Sequence, residues 1–425
     1  MLTSKTQYWV KTLTKFVSVQ LIVQALGFAS GVLIIRTLSK EEYAYFTIAN
    51  SLQSTMNVLA DGGISSGILS IGGKVWQERY HFSQLIRTGM QLRYYLGFTA
   101  VIVVGPILLW LLISNGTSFF YAILIILAIL IELYFYLIQG VLGIVPLLKS
   151  QIQQIQRLDA IFASSRLLFL AIAGLTSANA LIYACCSTAA SGLRTFFLQR
   201  WNNNFLEKDV PINKEYSQQI KGSVRNLIAY SIFFSIQGQI TIWLISVFGQ
   251  TKSIAEVGAL GRLGVIFTVM TSVVSNIIVP RFAKYESLKL LKPRYFQVML
   301  IYTFLSSILL AFSATFPQQL LWILGNKYDH LQEELSLVVL ATMISAISSV
   351  AWSLNTSRGW TKDSWLIIPS TVLTQIVLLT IVDVSNVKGV IMFGLVSALP
   401  TLLVNIYINY KGFKNQYNRG NFLNA

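Results

Sequence analysis

Charge is scarce in this chain: only 11% of its 425 residues are Asp, Glu, Lys or Arg, and 54% are hydrophobic. Soluble domains average about 25% charged residues, so the shortage excludes an ordinary soluble protein and marks a polytopic membrane protein. Cysteine is nearly absent. Cys185 and Cys186 adjoin inside an apolar run, which rules out a disulfide framework and metal-ligand spacing and leaves two small packing residues. His81 and His330 stand isolated and read as surface residues. No Walker phosphate loop, GxSxG elbow, HExxH pair or Cys/His cluster occurs. No catalytic residue, cofactor or metal is therefore expected, and the chain reads as a non-enzyme. Acids are also few, 16 against 32 Lys and Arg, for a formal charge of +16. A nucleic-acid partner would need a clustered basic face on a soluble domain. Here the cations fall in short loops between apolar runs, so no nucleic acid is expected and the charge reports topology.

A hydrocarbon core of about 30 Å needs about 20 mostly apolar residues per helix. Twelve such runs occur, near 16–35, 43–71, 94–114, 118–140, 158–177, 179–198, 224–248, 256–280, 295–315, 335–356, 364–382 and 388–410. The basic start MLTSKTQYWVKTLTKF leads into a first helix with no small-residue cleavage site after it, so that helix reads as retained. With the N-terminus inside, 25 Lys and Arg fall on the inner side and five on the outer, while Arg166 and Arg262 lie within runs. That bias predicts twelve helices with both termini cytoplasmic. The longest polar interruption, QRWNNNFLEKDVPINKEYSQQIKG, divides the chain into a six-helix half at 1–198, a cytoplasmic linker at 199–222 and a second half at 223–425. The expected fold is an all-α integral membrane protein with its two halves around a central cavity. Segment 72–93, mixing Trp76, Tyr80, Phe82 and Leu85 with cations, suits a helix lying at the inner interface.

Polar residues inside the membrane mark the candidate site. Asn50, Ser54, Asn57 and Asp61 recur at helical spacing along one face of the second run, with Gln53 beside them. Gln20 and Gln24 share a face of the first run with Gly27 and Gly31, a spacing that admits a close backbone. Arg262, Ser272 and Asn276 share a face of the eighth run, and Ser345, Ser348, Trp352 and Asn355 line the tenth. Such faces line a cavity or bond neighbouring helices. Glu132 and Arg166 fall at equal depth, about 12 Å from the inner edge, where they form a salt bridge or handle protons or substrate. Asp61 is a second candidate for ion coupling or a helix-end residue reaching water. Arg262 has no acid at its depth in the second half. It either contacts an anionic ligand through its rigid donor fork or snorkels.

Two stretches, GVLIIRTLSKEEYAYFTIANS (31–51) and VGALGRLGVIFTVMTSVVSNIIVPRFAK (257–284), resemble the polysaccharide-transporter branch of the multidrug/oligosaccharidyl-lipid/polysaccharide exporter superfamily, the O-antigen-type flippases. In the first an arginine ends helix one and an acid–Tyr–small pattern opens helix two. The second is similar to that family's eighth helix with its terminal proline and basic loop. The resemblance implies a bacterial cytoplasmic-membrane flippase that carries a polyprenyl-pyrophosphate-linked oligosaccharide outward by alternating access, for cell-surface polysaccharide export. It implies membrane lipids and other polysaccharide-assembly membrane proteins as partners. Arg262, with Arg36 and Arg166, would meet the pyrophosphate; Asn50, Ser54, Asn57, Gln24 and Asn276 would meet sugar; Asp61 and Glu132 would couple an ion. The alternatives are a multidrug or organic-cation antiporter of the related branch and a membrane polysaccharide polymerase.

Overall fold

In lipid every backbone donor and acceptor must be satisfied within the protein, and a helix does so inside one segment. The computed structural model describes residues 4–149, 151–176, 178–207, 209–283 and 288–422, and of these the side chains of all but 4–18, 152, 276, 288–290 and 415–422. Among the described residues every regular element is helical. In order they are α1 Ser4–Thr37, α2 Lys40–Asp61, α3 Ile64–Val75, α4 Arg79–Ser114, α5 Phe119–Leu142, α6 Ile144–Leu148, α7 Ile152–Thr176, α8 Ala180–Asn202 and α9 Lys214–Phe248. There follow α10 Thr251–Arg262, α11 Val265–Val273, a π-helical turn Val274–Ile278, α12 Val279–Phe282, α13 Leu288–Thr315, α14 Pro317–Leu324, α15 Gln332–Ser357, α16 Ile367–Ile381 and α17 Val387–Phe422. Eleven helical segments among the described residues are long and apolar enough to cross a membrane. The second expected span is helical too, but Asn50, Gln53, Asn57 and the hydroxyls between Tyr43 and Ala60 make α2 too polar to join the eleven. The chain is a multi-pass, all-α membrane protein.

Contacts divide it into two units, Met1–Val247 and Phe248–Ala425, and α9 belongs to the first. In that unit the run expected at 43–71 is two helices. Gly62 and Gly63 take positive φ, +48° and +103°, and the Gly62 N–H caps α2 on Val58 O at 2.9 Å. Only glycine adopts such a pair without cost, which is why the helix stops there. The narrow gap TSAN does separate two helices: the Asn179 side chain accepts the Ile182 N–H at 2.8 Å and caps α8.

The interfacial helix expected at 72–93 is not formed. Phe82 and Leu85 are buried, and 79–93 is the first part of the 36-residue α4. At about 54 Å, α4 is far longer than a hydrocarbon core. Its extension meets Ile64, Ile68, Ile138, Val141, Val145, Leu158, Leu198 and Ile220 in one apolar cluster. The polar stretch after α8 runs along it. Glu207 N–H donates to Ser83 Oγ at 2.8 Å, Asn213 N–H to Thr88 Oγ1 at 3.1 Å, and Arg79 to Leu206 O at 3.2 Å. These bonds fix where α9 starts.

In the second unit the run expected at 256–280 continues through a tightened turn, in which Leu263 and Gly264 keep α-helical angles but bond back three residues, to Leu260 O and Gly261 O. α10 ends at Arg262, Leu263 and Gly264 form a turn, and α11 starts at Val265. Ser348 and Asn355, whose face either lines a cavity or bonds a neighbouring helix, are buried between α15 and α17. Asn355 Nδ2 donates to Asn405 O at 3.0 Å, Asn405 to Ser348 Oγ at 3.2 Å, and Asn409 to Asn355 Oδ1 at 3.4 Å. Lipid offers these amides no partner, so they bond each other and hold the two helices together. Gly27 has open space where a Cβ would stand, so it is no site of close backbone approach.

Candidate functional site

α2 presents a polar stripe whose members have different partners. Asn50 Nδ2 donates to Phe46 O and Ser54 Oγ to Asn50 O, each at 2.9 Å. Bonds to the preceding turn of the same helix leave these groups free to accept from outside it. Ser54 is exposed and Asn50 and Asn57 half-buried; the Asn57 Oδ1 is shielded and has no hydrogen-bond donor among the described residues. A shielded acceptor without a donor is where a ligand hydroxyl gains most. Gln24 is half-buried on α1, and Arg36 is exposed in the last turn of α1, where the helix dipole favours a cation.

At the edge of that stripe Gln53 is buried and its side chain bonds Glu132 of α5, within electrostatic reach of Arg166 of α7. Arg166 also donates Nε–H to Ser187 Oγ of α8 at 3.2 Å. Four helices therefore bring Glu132 and Arg166, matched in depth on sequence alone, into one polar cluster.

Asp61 has a partner that sequence reasoning placed in an inner loop. Arg93 of α4 is 1% exposed, 3.0 Å from the Asp61 carboxylate and 3.1 Å from Ser65 Oγ, and Ser65 in turn donates to Asp61. The guanidinium lies over Tyr136 at 5.3 Å from the ring centroid. A Cβ on Gly140 would lie 2.1 Å from it, so glycine is what admits it. Asp61 is accordingly neither a bare helix-end residue nor an unbalanced charge.

Two further networks in this unit were missed. Arg194 binds Asp159 at 2.6 Å and Gln139 Oε1 at 2.8 Å, and Gln139 donates to Thr195 Oγ1 at 2.9 Å. The Tyr121 hydroxyl and the Ala180 N–H donate to Glu42 Oε2 at 2.6 and 2.7 Å, setting a carboxylate on the N-terminus of α8. Asp159 and Glu42 sit at the ends of apolar runs, where hydropathy does not distinguish a buried acid from a solvated one.

In the second unit Arg262 is half-buried at the C-terminal end of α10, beside the tightened turn. No side-chain hydrogen bond or ion pair engages it among the described residues. The helix end supplies partial negative charge and unpaired carbonyls, which tolerate a cation without neutralising it. The Asn276 side chain lies outside the described residues. His330, read as isolated, bonds Glu256 through Nε2 at 2.9 Å. No cluster of three or more His, Cys, Asp or Glu that could hold a metal occurs among the described residues.

No family model and no curated protein matches the chain. Solved structures match it almost end to end. An inward-facing multidrug resistance MATE family transporter of the MOP superfamily aligns with a TM-score of 0.73 at 14% identity, over 95% of this chain and 98% of that one. The lipid II flippase MurJ in an inward closed conformation aligns with a TM-score of 0.65 at 15% identity, over 95% and 90%. A MOP superfamily transporter from Pyrococcus furiosus aligns with a TM-score of 0.53 at 14% identity, over 97% and 95%. The chain thus has the fold that this multidrug resistance transporter, this Pyrococcus furiosus transporter and this lipid II flippase share.

Proposed function

We propose that the protein flips a polyprenyl-pyrophosphate-linked oligosaccharide across the bacterial cytoplasmic membrane by alternating access, for cell-surface polysaccharide export. The observation that carries the reading is Arg262: a half-buried cation at a tightened helical turn inside a membrane span, with no partner among the described residues. An intramembrane cation without a counter-ion is costly and is retained for a ligand. A guanidinium fork matches a pyrophosphate. Arg36 and Arg166 are lesser cations for the same headgroup; Asn50, Ser54, Asn57, Gln24 and Asn276 would bond sugar hydroxyls. Glu132, embedded and tied to Gln53, is the better ion-coupling candidate, since Asp61 is bound to Arg93. The likeness to a lipid II flippase supports a lipid-linked substrate. The 25-to-5 bias of basic residues supports cytoplasmic termini.

The test is flipping of a labelled lipid-pyrophosphate oligosaccharide in proteoliposomes. Charge-assisted hydrogen bonds contribute about 1.5–3 kcal/mol, so Arg262→Ala lowers the rate roughly 10- to 100-fold, and Arg262→Lys, a point charge without the fork, falls between. Full activity in both variants removes Arg262 from the anion role. A multidrug antiporter is the second reading, favoured by the TM-score of 0.73 to a multidrug resistance transporter and by embedded Glu132. Resistance to cationic dyes on expression, without lipid flipping, would replace the first reading with the second.

A further inference from the structure

A cavity of about 690 Å³ opens at the basic end of the first unit, between α4 and α9. Gln91, Leu92, Tyr95 and Leu96 of α4 form one wall; Ser217, Lys221, Val224 and Arg225 of α9 form the other. The volume is that of a small-molecule site and exceeds by far what a bare phosphate occupies. The four α9 residues recur at helical spacing, which puts Lys221 and Arg225 one turn apart on one face. Neither cation has a side-chain hydrogen bond or ion pair among the described residues. No carboxylate lines the cavity, and Glu215, the acid earlier on α9, accepts from Gln219 at 3.2 Å.

Depth identifies the occupant. The far ends of α4 and α9 are level, because Asn115, which caps α4, donates to Ser246 O near the end of α9 at 3.0 Å. From those ends, Leu96 lies about 27 Å and Arg225 about 35 Å back along their helices at 1.5 Å per residue. A hydrocarbon core is about 30 Å thick. The leucines therefore stand at its edge and the cations at headgroup level. From Tyr95 an exposed apolar track, Phe98 and Ile102, continues down α4 into the acyl region.

We infer that the cavity is a site for an anionic phospholipid, with Lys221 and Arg225 on the phosphate, Gln91 and Ser217 on headgroup polar atoms, and acyl chains along Leu96, Phe98 and Ile102. The site is separate from Arg262 and independent of what the protein transports. Binding is read by native mass spectrometry on the full chain, from mixed micelles carrying phosphatidylglycerol, phosphatidylcholine or inorganic phosphate. Wild-type protein retains phosphatidylglycerol over phosphatidylcholine. Interfacial cations act on anionic lipid by about fivefold each, so Lys221→Ala/Arg225→Ala loses the preference roughly thirtyfold. Lys221→Arg/Arg225→Lys keeps it. Ser217→Trp fills the cavity while keeping both cations in the chain and also loses it, which keeps the test valid if the double alanine variant fails to fold. Equal retention by wild type and Ser217→Trp overturns the site. Inorganic phosphate binding as well as the lipid overturns the lipid assignment.

Discussion

The sharpest stability prediction concerns the Asp61–Arg93 pair. At 3.0 Å and an effective dielectric of about 20, two unit charges attract by about 5–6 kcal/mol, and desolvation offsets much of that. What matters on mutation is the charge left behind. Asp61→Asn strands a cation that is 1% exposed and whose Nε already lacks a partner, so the full cost of breaking a buried pair applies, about 3–5 kcal/mol. Arg93→Ala strands a carboxylate whose side chain is 28% exposed and still bonded by Ser65; water recovers part of the loss, leaving about 2–3 kcal/mol. For a unit of this size 1 kcal/mol moves Tm by about 2–4 °C, so Arg93→Ala lowers it by roughly 5–10 °C and Asp61→Asn by more. Thermal unfolding followed by tryptophan fluorescence in detergent reads both. Asp61→Asn/Arg93→Met removes both charges while keeping an apolar stem, and restores most of the loss. Additive losses in the double variant, or a larger loss for Arg93→Ala than for Asp61→Asn, would refute the assignment of a coupled pair in which Arg93 is the buried member.

Gly140→Ala places a methyl 2.1 Å from the Arg93 guanidinium; it lowers Tm about as much as Arg93→Ala and adds little when combined with it, checked in the same melt. Tyr121→Phe removes the 2.6 Å bond to Glu42 and costs about 1–2 kcal/mol, with faster hydrogen exchange at the first turn of α8. Gly63→Ala must hold φ at +103° with its Cβ 3.0 Å from the Leu227 Cβ, costing about 1–3 kcal/mol in the same melt. Asp383, in the turn between α16 and α17, accepts from Ser385 N–H and Oγ and from Asn386, which hold its carboxyl below the usual 3.8. A depressed pKa gives stability above the ordinary value that is lost as pH falls through the depressed one. Asp383→Asn therefore raises exchange of the turn at neutral pH and matches wild type in strong acid.

Hydropathy made the spans legible and misplaced what lay at their ends, for one physical reason. Apolar length measures the thickness of the bilayer, whereas a helix ends where its backbone bonds do. Counting apolar residues started the third span at 94 and left Arg93 in a loop, yet α4 begins at Arg79, because soluble-phase contacts of Phe82, Leu85 and the stretch after α8 continue the helix past the membrane. The same counting ran the second span straight through Gly62–Gly63, where a hydrophobic average is blind to backbone angle. Equal depth along two runs was enough to associate Glu132 with Arg166, since depth is a coordinate that a sequence carries. Azimuth is not. Nothing in sequence aims Glu256 at His330, 74 residues away, or turns Asn355 toward Asn405 instead of a cavity. The turn that ends α10 is what changes the standing of Arg262. A cation in the middle of a straight helix has only side-chain partners to seek, whereas one at a helix terminus is tolerated by the dipole while keeping its donors available. Arg262→Ala and Gly264→Ala therefore separate two roles. Gly264→Ala, whose Cβ would lie 3.2 Å from Gly261 O and from Thr342 Cγ2, disturbs the turn but keeps the charge. If flipping falls with Arg262→Ala and survives Gly264→Ala, charge alone serves the substrate; if both abolish it, the terminus that presents the guanidinium is part of the site.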